Sequence, residues 1–190
     1  MEAESWESRT LLRETHSGVE FADLDMTECR NEGSTFTGCT FSRAKFNCSV
    51  HLDAAFINCT FVNCSFFEAS FTGCKLLGST FKRCTFDLLR VSGGNWTHVG
   101  LPGADLRTAE FDGVNLRESD LKGANLGGGR LINSSLDGAY LHQAKLAACD
   151  LRGSSLGTLD PTASQMRGAI ITYEQALEIA TLLGLDVRPG

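Results

Sequence analysis

The sequence predicts an all-β solenoid, a chain that winds in regular coils, and a five-residue periodicity is the main reason. From Phe21 to Leu156, 26 of 28 positions spaced five residues apart hold a large apolar side chain, and the spacing never changes. A period of five fits neither the 3.6-residue repeat of a helix nor the two-residue repeat of a flat strand. The chain must therefore turn by a constant angle every five residues.

A small residue stands two places before most of these large apolar residues, and a polar residue lies between them. Residues 59–61 (Cys-Thr-Phe), 104–106 (Ala-Asp-Leu) and 124–126 (Ala-Asn-Leu) show the pattern. We interpret it as two inward positions in every five, one small and one large, with three outward positions. A narrow tube requires this alternation because large side chains fill its axis while small ones let the backbone close around them.

The motif A(D/N)LXX, at 104–108 and 124–128 and as SDLKG at 119–123, resembles the pentapeptide-repeat family. The resemblance implies a right-handed quadrilateral β-helix with four five-residue sides per coil. We expect residues 17–160 to form about seven such coils, with positions twenty apart stacked on one side of the rod.

The two exceptions to the apolar pattern are Asn31 and His51, which are twenty residues apart. They are predicted neighbours in adjacent coils, and a buried hydrogen-bonded ladder satisfies both groups. The alternative is a ligand or switch site at His51, but Cys48-x-x-His51 alone is a weak metal signal. We favour the ladder and expect no metal and no cofactor.

Seven of the eight cysteines occupy the small inward position, and Cys48 is the exception. Cys39 should stack on Cys59, and Cys64 should stack on Cys84. Stacked side chains point the same way and fit disulfide geometry poorly, so we predict free thiols in a reducing, cytoplasmic compartment. The sequence shows no signal segment and no apolar run long enough to span a membrane.

Two irregularities interrupt the pattern. Residues 88–96 depart from the small–polar–large order and contain a Gly pair, which predicts a local kink or bulge. Eleven of the twelve phenylalanines lie on the five-residue spacing and only Phe67 does not. Core packing is therefore favoured over an aromatic platform for single-stranded nucleic acid.

The two ends are predicted caps. Residues 1–16 are acidic and irregular, and residues 161–190 begin with Pro161 and include a possible partial turn at Met166 and Ile171. Thr172 and Gln175 match a capping box, which predicts a helix over 173–183 that stops at Gly184. The helix is apolar on two sides, which favours a homodimer through the C-terminal end, although a monomer with an apolar cap stays open. The predicted dimer residues are Tyr173, Leu177, Ile179, Ala180, Leu182 and Leu183.

The sequence contains none of the common nucleotide-binding, zinc-protease or nucleophile motifs, and its four histidines are scattered. A regular solenoid also offers no deep cleft in which to shift a pKa. An enzyme is therefore not expected, and the predicted function is binding through a surface.

The surface is acidic on balance, with 23 Asp and Glu against 17 Lys and Arg and a net charge of −6. This balance argues against direct nucleic-acid binding and favours a partner with a basic surface. The predicted contact residues form the densest acidic stretch: Asp105, Glu110, Asp112, Glu118 and Asp120.

The length, the VSGGNW segment at 91–96 and the ending at 168–187 resemble the MfpA/Qnr-like group of this family. Members are dimeric acidic rods that resemble duplex DNA and bind type II topoisomerases. The resemblance implies that this chain binds bacterial DNA gyrase, modulates supercoiling and protects against fluoroquinolones. A general interaction scaffold, and an immunity factor against a gyrase-targeting toxin, stay open as alternatives.

Overall fold

The computed structural model describes residues 5–157 and 159–188. These residues form a parallel β-solenoid followed by one short C-terminal helix, so the predicted fold class is confirmed. Every strand is three residues long, and its middle residue is the most buried of the three, because only that residue points into the rod.

The structure has fourteen strands and one helix within the described residues. They are β1 (Thr10–Leu12), β2 (Thr15–Ser17), β3 (Glu20–Ala22), β4 (Arg30–Glu32), β5 (Thr35–Thr37), β6 (Thr40–Ser42), β7 (Val50–Leu52), β8 (Ala55–Ile57), β9 (Thr60–Val62), β10 (Ser70–Thr72), β11 (Thr80–Lys82), β12 (Arg90–Ser92), β13 (Glu110–Asp112), β14 (Arg130–Ile132) and α1 (Tyr173–Leu182).

Paired residues are twenty apart, which groups the strands into stacked faces. Face 1 is the seven-stranded sheet β1-β4-β7-β10-β12-β13-β14, face 2 is β2-β5-β8, and face 3 is β3-β6-β9-β11. Face 4 has no strand among the described residues and is joined by single bridges, beginning with Ser5 to Asp25. One coil therefore takes twenty residues and four sides.

The core is a continuous stack of the large apolar residues that define the five-residue spacing. In the first half the rings of successive coils lie nearly parallel: Phe41 and Phe61 have centroids 5.0 Å apart, and Phe61 and Phe81 have centroids 4.6 Å apart. From Leu101 to Leu156 leucine dominates the same positions and is equally buried. Burial of this stack is the main source of stability.

The coils begin earlier than predicted. Trp6, Leu11 and His16 extend the five-residue spacing backwards, and Leu11 lies opposite Asn31 in the β1–β4 ladder. The prediction of an irregular cap over residues 1–16 is therefore wrong from residue 5 onward, and residues 1–4 lie outside the described part of the chain. His16 concealed the repeat because it is a polar residue at a position that otherwise holds a large apolar one. In the structure its ring stacks on Phe36 like another aromatic side chain.

Residues 90–96 keep the regular pairing, so the predicted kink or bulge is wrong over this part of the segment. Arg90 pairs with both adjacent coils, and Asn95 bridges to both as well. Gly94 makes this possible: a Cβ added there would lie 2.2 Å from the Cys74 carbonyl oxygen, so only glycine fits.

An interruption does occur at the start of the segment, on face 4, and it includes Leu88. Among the described residues no bridge joins Thr85 to Asp105, although the same series is continuous on either side. Here the Leu88 N–H donates to the Thr108 Oγ1 at 3.0 Å instead of to a backbone carbonyl. The coils therefore separate on this side only, while faces 1 to 3 stay paired.

Leu89 offers a physical reason for this separation. It is buried at a small inward position, where the adjacent coils have Ala69 and Ala109. A larger side chain at such a position needs extra volume, which a close-packed rod provides only by local displacement.

The coils also continue past residue 160, the predicted boundary. Gln165 bridges to Lys145 and Ile170 bridges to Asp150, so the predicted partial last turn is confirmed. The helix α1 then begins with the predicted capping box between Thr172 and Gln175. In the described residues, no helix has the length and apolar character that crossing a membrane requires.

All eight cysteines are free, as predicted. Burial raises the pKa of the Cys59 thiol to about 12 and that of the Cys74 thiol to about 11. Both thiols donate to carbonyl oxygens of the neighbouring coil, Cys59 to Phe36 at 3.4 Å and Cys74 to His51 at 3.4 Å. They act as small, protonated core residues.

Candidate partner-binding surfaces

The five acidic residues predicted to contact a partner lie in one coil but on different faces. Asp105 lies on face 4, Glu110 and Asp112 lie on face 1, Glu118 lies at the corner after face 2, and Asp120 lies on face 3. The chain passes almost completely around the rod between residues 105 and 120. The structure therefore brings only Glu110 and Asp112 together.

Basic groups offset several of these charges. Arg107 forms a bidentate ion pair with Asp105, at 2.7 and 2.9 Å, and these hydrogen bonds hold the pKa of Asp105 below its usual value. The Glu118 carboxylate lies 3.5 Å from the His98 Nδ1, which forms an ion pair only when the ring is protonated. Such exposed pairs contribute little stability, but they lower the local negative potential.

Opposite charges also alternate along the columns of residues twenty apart. Glu110 lies between Arg90 and Arg130 in the face 1 ladder. Arg43 pairs with Asp23 of the preceding coil, with N–O distances of 2.6 and 2.7 Å. From residue 5 to residue 171 the sequence has 18 acidic and 16 basic residues, so the rod is close to neutral and carries no uniformly acidic face.

The predicted dimer residues on and beside α1 are mostly exposed. Tyr173 is 75% exposed, Leu183 is 50% exposed, and Leu177 and Leu182 are also exposed. Ile179 and Ala180 are partly buried, and Ile179 packs against the core of its own chain. The exposed part of this set leaves an apolar surface at the C-terminal end of the rod.

The helix is fixed to the last coil by Gln175. Its Nε2 donates to the carbonyl oxygens of Leu151 and Ser154, both at 2.7 Å, while its Oε1 accepts from the Thr172 N–H. The side chain thus closes the capping box and satisfies two carbonyls at the end of the rod. The apolar surface of α1 is therefore held in a fixed orientation.

Asn31 and His51 form the predicted internal ladder. The Asn31 Nδ2 lies 3.2 Å from the His51 Nδ1, and the His51 Nε2 lies 2.9 Å from the Ser49 Oγ. The Ser49 hydroxyl donates to the Phe46 carbonyl, so its oxygen accepts from Nε2–H and Nδ1 accepts from Asn31. Burial lowers the pKa of His51 to about 3, which keeps the ring neutral.

The structure does not place Cys48 and His51 in a common environment. Cys48 lies at a partly exposed turn, where its thiol is 3.7 Å from a Glu68 carboxylate oxygen, whereas His51 is fully buried. Within the described ranges no group of three His, Cys, Asp or Glu side chains is arranged to hold a metal ion.

Among the described residues, shallow grooves lie along face 1, and three of them have volumes of about 520, 320 and 130 Å³. The largest is lined by Leu12, Arg13, Arg30, Glu32, Gly33, Leu52 and Asp53. Arg30 and Glu32 pair with each other across it, at 2.5 Å. Its lining residues bring together no nucleophile with a base.

Two outward apolar residues on the face 4 side were not predicted as functional. Phe67 is 42% exposed and Leu88 is 38% exposed. The available signal was positional: both stand at outward positions where this repeat otherwise places mainly polar residues or glycine.

Family models for a pentapeptide repeat region and for pentapeptide repeats match residues 64–141 and 130–157. The chain is 32% identical over 100 residues to the pentapeptide repeat protein MfpA of Mycobacterium tuberculosis. This match covers 53% of the chain and spans about half, 52%, of that relative.

Among solved structures, the chain is similar to full-length QnrB1, a plasmid-mediated fluoroquinolone resistance protein. The TM-score is 0.63 at 20% identity, over 96% of this chain and 98% of the other. A trypsin-treated variant of QnrB1 gives a TM-score of 0.57 at 20% identity, over 98% of each chain. At this identity the likeness shows the fold.

Proposed function

We propose that this chain, a pentapeptide-repeat protein of the MfpA/Qnr-like group, binds bacterial DNA gyrase, modulates supercoiling and protects the enzyme against fluoroquinolones. The observation that carries the proposal is the rod itself, because its four-sided coils superpose on nearly the full length of QnrB1. The 32% sequence identity with MfpA, over 53% of the chain, supports it.

The charge distribution refines the mode of binding. The rod is close to neutral, so any likeness to duplex DNA rests more on its shape than on a continuous line of negative charge. Asp105, Glu110, Asp112, Glu118 and Asp120 surround one coil, and only a partner that encloses the rod could contact them together. An enzyme cleft that holds a DNA segment has this property.

The C-terminal end supports a homodimer in the same proposal. Tyr173, Leu177, Leu182 and Leu183 leave an apolar surface beside α1, and Ile170 and Leu185 extend it. Two copies that join through this end would cover these residues and double the length of the rod. Ile179 and Ala180 contribute less because their own chain already covers them in part. We place the protein in the cytoplasm, where gyrase acts and where its thiols stay reduced.

A general interaction scaffold is the second candidate, and the internal pairing of charges favours it. Asp23, Asp105 and Asp150 each have an arginine partner within the rod. These carboxylates have less need of a basic partner than the unpaired acids of a DNA mimic.

A supercoiling assay with purified gyrase, with and without ciprofloxacin, tests the proposal. We expect the protein to inhibit supercoiling at high concentration and to restore activity in the presence of the drug. Raising the salt concentration should weaken both effects, because screening reduces interactions between exposed charges. No effect in either arm at any protein concentration would reject gyrase binding in favour of the scaffold.

The charge-reversed variant Glu110→Lys/Asp112→Lys sharpens the test, because these two residues share one face. We expect weaker inhibition with an unchanged far-UV spectrum, since both side chains point outward. Glu20→Lys on face 3 is the matched control, because it changes the charge of one exposed acid far from residues 105–120.

A further inference from the structure

The face 4 side of the rod carries a local surface that differs from the rest of the solenoid. We define the Phe67 patch as Phe67, Glu68, Asp87 and Leu88. Phe67 and Glu68 lie in one coil, and Asp87 and Leu88 lie in the next. The Glu68 N–H donates to the Asp87 carbonyl at 2.9 Å and joins the two coils. All four side chains are exposed.

The carboxylates of the patch lack the basic partners that neutralise other acids of the rod. Among the described residues, Glu68 and Asp87 take part in no ion pair, and neither does Glu28, two coils before Glu68 in the same column. Arg107, which lies twenty residues after Asp87 in the next coil, is already paired with Asp105 at 2.7 Å.

A second feature is the open backbone beside the patch. In a regular coil the Phe86 N–H would donate to the Asp105 carbonyl, and the Asp105 N–H would donate to the Cys84 carbonyl. Neither bond forms, because the coils separate at this point of face 4. The Phe86 and Asp105 N–H groups are therefore left without a backbone acceptor beside the patch.

We infer that the Phe67 patch is a docking surface for a protein partner with an apolar socket bordered by lysine or arginine side chains. Exposed aromatic residues are typical anchors of protein interfaces, and unpaired acids select a basic border. Charge complementarity indicates the chemistry of the partner, because carboxylates without an ion pair in their own chain interact most favourably with a basic surface. The inference rests on the proposed function, because gyrase is the partner that serves as the probe.

The test measures the equilibrium binding of purified gyrase to the full chain and to two variants. Phe67→Ser/Leu88→Thr removes the anchors, and Glu68→Lys/Asp87→Lys reverses the border. The turn position of Glu68 accepts a long basic side chain, because Arg43 and Arg83 occupy the equivalent turn with the same positive φ. Leu12→Thr/Glu20→Lys is the matched control, with an exposed leucine and an unpaired acid on other faces.

We expect each patch variant to weaken gyrase binding by about tenfold or more, which is the usual loss when an interface anchor is truncated. The control should stay within about twofold of the unmodified protein, and all variants should keep the same thermal midpoint. If the unmodified chain binds gyrase and the patch variants bind equally well, the inference is wrong while the proposed function stands. If the unmodified chain does not bind gyrase even at low salt, the proposed function fails, and the inference fails with it.

Discussion

The first half of the rod is built mainly from strands and stacked phenylalanines, whereas the second half is built mainly from turns and leucines. Among the described residues, twelve of the fourteen strands end by Ser92, and only β13 and β14 follow. Face 2 changes from strand to turn after Ile57 and face 3 after Lys82, while face 1 keeps its strands through Ile132. One five-residue pattern of burial thus supports two kinds of backbone.

The residue before the large apolar position accounts for much of this difference. In the part of the chain that the structure describes, no strand begins with Asp or Asn, whereas the second half often has one of them at this position. There the side chain accepts from the backbone N–H two residues later: Asp120 from Lys122 at 3.1 Å, and Asn125 from Gly127 at 3.2 Å. An N–H that is bonded to the side chain two residues earlier no longer joins the ladder, so the pentad becomes a turn.

The difference in core packing between the phenylalanine-rich first half and the leucine-rich second half predicts the largest effect on stability. Phe61→Ala removes a ring stacked between Phe41 and Phe81 and should cost about 4 kcal/mol, while Leu126→Ala should cost about 3 kcal/mol. Urea unfolding followed by circular dichroism measures both. Phe67→Ala is the control, and as a largely exposed change it should cost about 0.5 kcal/mol or less. An equal loss from Phe67→Ala would contradict the assignment of inward positions.

Acid should destabilise the first half selectively. The pKa of His51 is lowered to about 3 in the folded state, against about 6.5 in an unfolded chain. The neutral ring therefore favours folding above pH 6.5, and this contribution is lost as the pH falls towards 3. Between pH 7 and pH 5 the loss should be about 2 kcal/mol.

The double variant Asn31→Leu/His51→Phe isolates the contribution of His51 to the free energy of unfolding, because it restores the apolar pattern and leaves the other titratable groups in place. Its stability should fall less between pH 7 and pH 5 than that of the unmodified chain, by about the same 2 kcal/mol. Parallel pH dependence of the two proteins would show that His51 is not a buried neutral group.

The C-terminal end of the second half depends on Gln175. Gln175→Ala leaves the Leu151 and Ser154 carbonyls without their donor and should cost about 1.5 kcal/mol. Thermal unfolding measures the effect, and Thr181→Ala on the exposed side of α1 serves as the control. If the two variants melt together, the helix is not anchored as described.

The smallest effect on stability is expected at the turns in which an Asp or Asn side chain accepts from the backbone N–H two residues later. Asp120→Ala removes the acceptor of the Lys122 N–H and should cost about 1 kcal/mol or less, with faster exchange of that amide. Thr40→Ala stands at the equivalent place on face 3 in the strand half and should leave the Ser42 amide protected, because its ladder is intact. Equal exchange at both amides in the two variants would remove the proposed origin of the turn pentads.

The periodicity predicted the fold and the internal ladder, because both depend on inward positions that large and small side chains mark plainly. It did not predict where the coils begin, since His16 replaces an apolar residue while stacking like one. The prediction of the partner-contact residues grouped the acids by how close they are in the sequence. In a rod with twenty residues per coil, neighbours such as Asp105 and Asp120 diverge to different faces, and surfaces form from residues one coil apart.

The prediction of a kink at 88–96 illustrates the remaining limit. Leu89 and the Gly pair signalled an irregularity, but the glycine at 94 allows close approach and keeps the ladder regular there. The opening on face 4 depends on how the volume of Leu89 is shared between coils. That is a property of three-dimensional packing and not of the local pattern.

The stacking of residues twenty apart is tested most directly at the His51 ring. A nitrogen-detected proton correlation spectrum of the histidine side chains, recorded from pH 8 to pH 4, reports the tautomer and its titration. The structure predicts a neutral ring with the proton on Nε2, with Nδ1 accepting from Asn31 and no titration across this range. A His51 ring that titrates near pH 6.5 would contradict the twenty-residue coil.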